Sequence, residues 1–219
     1  MGEFEILDTE EPLAKRMARH AYDRLIMLSD GVFAIVITLA ALELKPPSAW
    51  NGDLDVLFAQ MGPALGAYAI TFLVIAAFWS GQRRILSQLT GVDGVITFLL
   101  LAQLGLVALQ PTGVRLLVDY GHTGKTFWIY YALILASGFV QAIAWGYAAF
   151  FAKLTHPEIG PALKWVRMLQ ALLLPPLVAA VALVLSSQRS FVAIGFTILV
   201  VALLRAVQAW ADKLFASHA

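Results

Sequence analysis

Six long apolar stretches, separated by short polar ones, dominate the chain and predict its secondary structure. They cover residues 26–44, 63–82, 93–116, 127–151, 164–187 and 190–211. A helix needs roughly 20 mostly apolar residues to cross about 30 Å of hydrocarbon, and these stretches meet that length. No stretch alternates with period two, and lipid does not tolerate open sheet edges. The pattern predicts an all-α membrane protein with six transmembrane helices in a single domain over residues 1–219.

The distribution of lysine and arginine predicts the orientation of these spans. If the N-terminus is cytoplasmic, the segments on that side hold eleven Lys and Arg residues and the opposite segments hold four. Because cytoplasmic loops carry the excess of positive charge, we expect both termini in the cytoplasm of a multi-pass plasma-membrane protein. Residues 1–23 are expected to form a polar helix that leads into the first span. No apolar region precedes Arg24, so no cleaved signal peptide is expected.

Composition narrows the functional class. Of the 219 residues, 60% are hydrophobic and 13% are charged, whereas soluble domains carry about 25% charged residues. A net charge of +1 provides no basic surface for nucleic acid, and the absence of cysteine excludes disulfides and thiolate chemistry. No HExxH or GxSxG motif is present, and the four histidines lie in loops, tails or the lead-in. Neither an enzyme nor a cofactor or resident metal is expected.

The first span, with its lead-in arginine, carries the most specific signal: RLIMLSDGVFAIVITLAALEL from Arg24 to Leu44. An ionisable group within a span is costly, so Asp30 is either a cation site or a hydrogen-bonded anchor. On a helical wheel Asp30 lies roughly 140° from Ile35, which favours the anchor. We expect Arg24, Ser29 and Asp30 to form a polar anchor of this helix. Candidate partners lie at the end of the second span: Trp79, Ser80, Gln82, Arg83 and Arg84.

The opposite face of the first span is apolar. Ile35, Leu39 and Leu42 recur at i, i+4 and i+7, with Thr38 between them. Any packed apolar helix has this pattern. In a symmetric oligomer whose first helices meet at the axis, however, these side chains would form rings, and apolar rings can gate ions by dewetting. The Thr38 hydroxyl would either contribute a polar ring or bond back to the Ala34 carbonyl.

Two later spans carry residues that are unusual in lipid. Gln103 and Gln110 share one helical face, since they are seven residues apart, and that face is expected to pack against another helix. Pro175 and Pro176 lie in the middle of the fifth span and are expected to kink it or to free backbone carbonyls.

The first span resembles the signature of a potassium channel family, namely the lysosomal channel called transmembrane protein 175 and its prokaryotic relatives. The positions that match the family pattern are Arg24, Ser29, Asp30, Gly31, Ala34, Ile35, Thr38, Leu39, Leu42, Glu43 and Leu44. The six-span layout and Trp79 extend the likeness weakly over the whole chain. Leu28 stands where the family has Phe, and Gln82 stands where relatives often carry His. A histidine-based pH response is therefore not carried over.

The resemblance implies a channel without a TVGYG filter, in which the first helix of each subunit lines the pore. Family members with one six-span unit form homotetramers, so the single signature copy predicts a homotetramer in the bilayer. The same resemblance implies a main apolar constriction at Ile35, with Leu39 and Leu42 further along. It also implies conduction of K+ and other monovalent cations, with a modest preference for K+ over Na+.

Two other functional classes remain open. A secondary cation transporter or proton-coupled exchanger would use broken helices around a midplane site, and Pro175-Pro176 provides one such break without a counterpart in the other half. A non-conducting membrane scaffold would use the first span only for packing. The signature ranks the channel first, the transporter second and the scaffold third.

Overall fold

The computed structural model of the chain describes residues 13–42, 44–47, 50–120 and 124–186. Residues 1–12 of the predicted lead-in, Glu43 of the signature and the predicted sixth span at 190–211 lie outside the described residues. The described helices are α1 (Leu13–Leu42), α2 (Leu54–Ser87), α3 (Gly94–Ala108), α4 (Gln110–Tyr120), α5 (Lys125–Gly146), a π-helical turn (Tyr147–Phe151) and α6 (Pro161–Ser186).

The first two helices are longer than the spans predicted within them. From Leu13 onward the polar lead-in and the first span form one helix of 30 residues, which stops short of Pro46 and Pro47. Helix α2 begins at Leu54, ahead of the predicted start at 63, because Asp53 caps it: the Asp53 carboxylate accepts a hydrogen bond from the Asp55 amide at 2.9 Å. With 34 residues, α2 is about 51 Å long and exceeds the thickness of a hydrocarbon core.

The predicted third span is interrupted at Leu109, between α3 and α4. Pro111 has no backbone N–H, so the helical bond to the Val107 carbonyl cannot form. The Leu109 amide instead donates to the Leu106 carbonyl at 3.2 Å, which is a tighter turn than that of an α-helix. The interruption lasts one residue, and the chain continues as α4.

Two buried apolar clusters fill the space between the helices. The Phe33 cluster comprises Phe33, Val36, Ala40, Val74, Ile75, Phe78, Leu104, Val107, Val114, Tyr130 and Ile134. The Leu25 cluster comprises Leu25, Ile85, Leu86, Leu89, Ile96, Leu100, Ala144, Trp145, Ala148 and Ala149. Along α1 and α3 the Leu25 cluster comes before the Phe33 cluster, whereas along α2 and α5 the Phe33 cluster comes first. Helices α1 and α3 therefore run in one direction, and α2 and α5 run in the other.

Within the described residues, four helical stretches have the length and composition to cross a membrane: Arg16–Leu42, Ala64–Ser87, Gly94–Tyr120 and Lys125–Phe151. They overlap the first four predicted spans and confirm a mainly helical chain with apolar membrane-crossing segments. Helix α6 overlaps the fifth predicted span, 164–187, and its helical backbone continues through Pro175 and Pro176. The kink expected at these prolines stays a prediction.

Candidate functional site

Helix α1 has two faces that meet different environments. The buried face carries Leu25, Ser29, Phe33, Val36 and Ala40, spaced by three or four residues as a helix packed on one side requires. The opposite face, here called the Ile35 face, comprises Leu28, Ile35, Thr38, Leu39 and Leu42, and all of its side chains are exposed on the subunit. Ile35 is 59% exposed and Leu42 is 74% exposed. The Ile35 face is therefore an exposed, mainly apolar stripe along α1.

Thr38 is the one polar side chain of the Ile35 face. Its hydroxyl donates to the Ile35 carbonyl at 2.8 Å, one residue later than the Ala34 carbonyl considered from the sequence. The Thr38 hydroxyl hydrogen is therefore bonded within the helix, and the hydroxyl oxygen can still accept a hydrogen bond from the exposed side. The Ile35 face therefore provides apolar side chains and one hydroxyl oxygen, with no charge.

Asp30 is held by a side chain from α2. The Trp79 indole N–H donates to the Asp30 carboxylate at 2.7 Å, a short distance typical of a charge-assisted hydrogen bond. The Arg83 guanidinium carbon lies 5.3 Å from the centre of the Trp79 ring, where a cation is attracted to the aromatic face. The Trp79 indole thus contacts the Asp30 carboxylate through its N–H and the Arg83 guanidinium through its ring.

Ser29 is held separately, and more deeply. The Gln82 side-chain amide donates to the Ser29 hydroxyl at 2.8 Å, and both residues are buried. Gln82 thus supplies a hydrogen-bond donor to α1. Trp79, Gln82 and Arg83 lie at i, i+3 and i+4, so they share one face of α2. This face supplies the partners of both polar residues of the α1 motif.

Arg24 lies apart from these two pairs. Its side chain lines an open, mainly apolar cleft of about 420 Å³ between α1 and α3. Other residues of the cleft are Leu28, Thr97 and Leu101. Of the three predicted anchor residues, the structure brings Ser29 and Asp30 to α2 and places Arg24 beside α3.

Sequence reasoning missed Tyr22 as a further contact of α1. Its hydroxyl donates to the Leu86 carbonyl at the end of α2. Tyr22 precedes Ser29 by seven residues and therefore lies on the same helical face, two turns earlier. This spacing was the available signal, but Tyr22 falls in the polar lead-in, outside the apolar run on which the prediction rested.

The charged groups at this site are Asp30 on α1 and Arg83 on α2, with Arg24 in the neighbouring cleft. Within the described part of the chain, no group of three or more His, Cys, Asp or Glu residues is placed to hold a metal ion. The arrangement offers an exposed apolar face, a carboxylate beside an indole and a buried hydroxyl–amide pair. Such a surface suits contact with copies of itself or with water and ions that pass along it.

Comparison with known proteins gives matches that include this helix. Residues 24–111 match the model of the family described as endosomal/lysosomal potassium channel TMEM175. A protein of Streptomyces collinus described as a potassium channel is 38% identical over 98 residues, which are 44% of this chain and 48% of that protein. A mouse protein described as endosomal/lysosomal proton channel TMEM175 is 26% identical over 141 residues, 62% of this chain and 28% of its own length. The matches thus span about half, or less, of these relatives.

The fold is also similar to a solved structure. A crystal structure of a lysosomal potassium-selective channel TMEM175 homolog from Chamaesiphon minutus superposes with a TM-score of 0.65 and 25% sequence identity. The likeness covers 85% of this chain and 97% of that one. Over residues 24–111, and in its fold, the chain is thus similar to proteins of the TMEM175 family.

Proposed function

We propose that the chain is a subunit of a potassium-permeable cation channel whose pore is lined by α1. The observation that carries the proposal is the exposed, apolar Ile35 face on a helix whose other side is fixed by Trp79 and Gln82. In a homotetramer with four copies of α1 around the axis, Ile35 forms the main constriction, and Leu39 and Leu42 form further rings. Rings of this kind oppose ion passage by excluding water.

The likeness to potassium channels of the family supports the choice of ion. We propose modest selectivity for K+ over Na+, because the Ile35 face offers one hydroxyl per subunit in place of a filter of backbone carbonyls. The proposed topology has six spans in one domain, residues 190–211 forming the sixth, with both termini in the cytoplasm. The proposed location is the plasma membrane.

The proposal is tested by making the constriction polar. Ile35→Asn places one amide per subunit in the Ile35 ring and lowers the free-energy cost of wetting it, so K+ flux into liposomes is expected to rise about tenfold or more, which corresponds to about 1.4 kcal/mol. Ile143→Asn is the matched control, since it makes the same exchange at an exposed position on α5. Equal flux in the two variants would contradict the assignment of the constriction.

The assembly is tested on the unmodified protein. Light scattering in detergent is expected to give the mass of four chains. A monomeric particle, together with no K+ flux from well-folded protein, would favour a scaffold and overturn the channel.

A second candidate, proton permeation or proton-coupled cation exchange, draws on the mammalian relatives described as proton channels. Reversal potentials under separate K+/Na+ and pH gradients distinguish the candidates. A potential that follows the K+ gradient supports the leading proposal, whereas one that follows the pH gradient supports proton permeation. Saturable flux with a fixed stoichiometry would indicate an exchanger.

A further inference from the structure

A layer of polar side chains separates the two apolar clusters inside the subunit. Four helices each contribute one residue to this polar layer, which we define as Ser29 (α1), Gln82 (α2), Gln103 (α3) and Gln141 (α5). All four are buried. On α1, for example, Ser29 follows Leu25 of one cluster by four residues and precedes Phe33 of the other by four. The same alternation of cluster, polar residue and cluster holds on the other three helices.

Two contacts join three members of the layer at one level of the bundle. Gln82 donates to Ser29 at 2.8 Å, which ties α2 to α1. Gly81 precedes Gln82, and a Cβ atom added at Gly81 would lie 2.1 Å from the side-chain nitrogen of Gln141. The Gln141 side chain therefore occupies the space that the missing Gly81 side chain leaves, and ties α5 to the same turn of α2.

The register of α3 against α5 brings Gln103 to this level. Gln110, the first residue of α4, donates to Ser137 of α5 at 3.4 Å, and α3 and α5 run in opposite directions. Gln103 lies seven residues before Gln110, or about 10.5 Å back along the axis of α3. Gln141 lies four residues after Ser137, or about 6 Å forward along α5, which is the same direction because the two helices are antiparallel. The levels of Gln103 and Gln141 thus differ by about 4.5 Å, which is less than one helical turn.

The layer holds hydrogen-bonding groups that the described residues do not satisfy. Gln103 is fully buried, and neither its amide nitrogen nor its amide oxygen has a partner among the described residues. The Gln82 amide oxygen is likewise buried without a partner in that part of the chain. Unpaired amide groups between two apolar clusters are costly, and buried groups of this kind are normally bonded to protein or to ordered water.

We infer that the polar layer is an internal water-binding site of the subunit, separate from the Ile35 face. The unpaired groups are two acceptors and one donor, which matches the roughly three hydrogen bonds that a buried water makes. The four side chains are neutral, so the layer lacks the carboxylate that would favour a cation over water. The bound water joins Gln103 to the Ser29–Gln82 pair and so extends the anchorage of α1 into the subunit.

The direct test is a structure of the full-length protein at a resolution that shows ordered water. Density within hydrogen-bond distance of the Gln103 amide, unchanged when Rb+ replaces K+, is the expected result. Direct bonding of Gln103 to Gln82 or Gln141, with no density between them, would overturn the inference. Density that becomes stronger with Rb+ would also overturn it, because the occupant would then be a cation.

A second test uses the sign of a stability change. Gln103→Leu removes the bonds that Gln103 makes to the water, and once the water is lost the buried Gln82 amide oxygen has no partner, so the thermal unfolding midpoint is expected to fall by about 2–4 °C. If the layer were dry, the same exchange would remove unpaired amide groups and leave the midpoint equal or higher, which would refute the site. Gln60→Leu, at an exposed position of α2, is the control and should leave the midpoint unchanged. Gln103→Met serves in its place if the leucine variant does not fold.

Discussion

The buried and exposed faces of α1 are both mainly apolar, yet only one of them packs within the subunit. Phe33 is 1% exposed and Ile35, two residues later, is 59% exposed. Apolarity alone therefore does not identify the face that packs against the other helices. What separates the faces is hydrogen bonding: Ser29 and Asp30 find donors on α2, whereas Thr38 on the Ile35 face bonds within its own helix.

The comparison teaches how an apolar helix is oriented where lipid is the solvent. Since lipid chains are as apolar as leucine, burial of Leu25 or Phe33 provides less preference for one rotation of α1 over another than it would in water. Two polar contacts to one face of α2 supply that preference. They also determine that Ile35 points away from the interior of the subunit.

The largest expected contrast comes from truncating one residue on each face. Phe33→Ala opens a cavity in the Phe33 cluster and is expected to lower the free energy of unfolding by about 3–5 kcal/mol. Ile35→Ala removes exposed atoms and is expected to cost less than about 0.5 kcal/mol. Denaturation by SDS in mixed micelles measures both values. Similar losses for the two variants would show that Ile35 also packs within the subunit and would remove the contrast.

A smaller effect is expected from the buried pair that orients the helix. Gln82→Leu removes the donor to Ser29 and is expected to cost about 1–3 kcal/mol, since the hydroxyl stays buried. The double variant Ser29→Ala, Gln82→Leu should lose less free energy of unfolding than the sum of the two single variants, because it leaves neither the Ser29 hydroxyl nor the Gln82 amide nitrogen without its partner. The same denaturation experiment provides the double-mutant cycle. Strict additivity would show that the 2.8 Å contact contributes nothing.

The first helix was the most predictable part of the molecule, because its signal is local. The apolar run over residues 26–44 predicts a span by length alone, and the wheel separates Asp30 from Ile35 by geometry that any α-helix must have. Even so, the wheel did not assign partners. Trp79 bonds Asp30 while Gln82 bonds Ser29, and this choice depends on how α2 lies against α1.

Features that depend on other helices could not be predicted in the same way. Gln103 and Gln110 share one face, and both are fully buried as expected, but Gln110 has a partner on α5 whereas neither amide atom of Gln103 has one among the described residues. The helical periodicity of the sequence is equal at both positions, so only tertiary packing distinguishes them. The π-helical turn after α5 is a similar case, because nothing in its apolar sequence departs from an ordinary helix.

The smallest expected effect concerns Asp30, and it decides whether this carboxylate orients the helix or binds ions. Asp30→Asn keeps an oxygen that accepts from Trp79 but removes the charge, so the free energy of unfolding is expected to fall by only about 1 kcal/mol. Since Asp30 lies about 140° from Ile35 on the helix, K+ flux and the K+/Na+ reversal potential should stay at the wild-type values. Trp79→Phe is the companion variant, because it removes the donor and leaves the carboxylate charged. A large loss of flux in Asp30→Asn with normal flux in Trp79→Phe would place the carboxylate in the ion pathway, whereas matched small effects in both variants would assign it to the contact with α2.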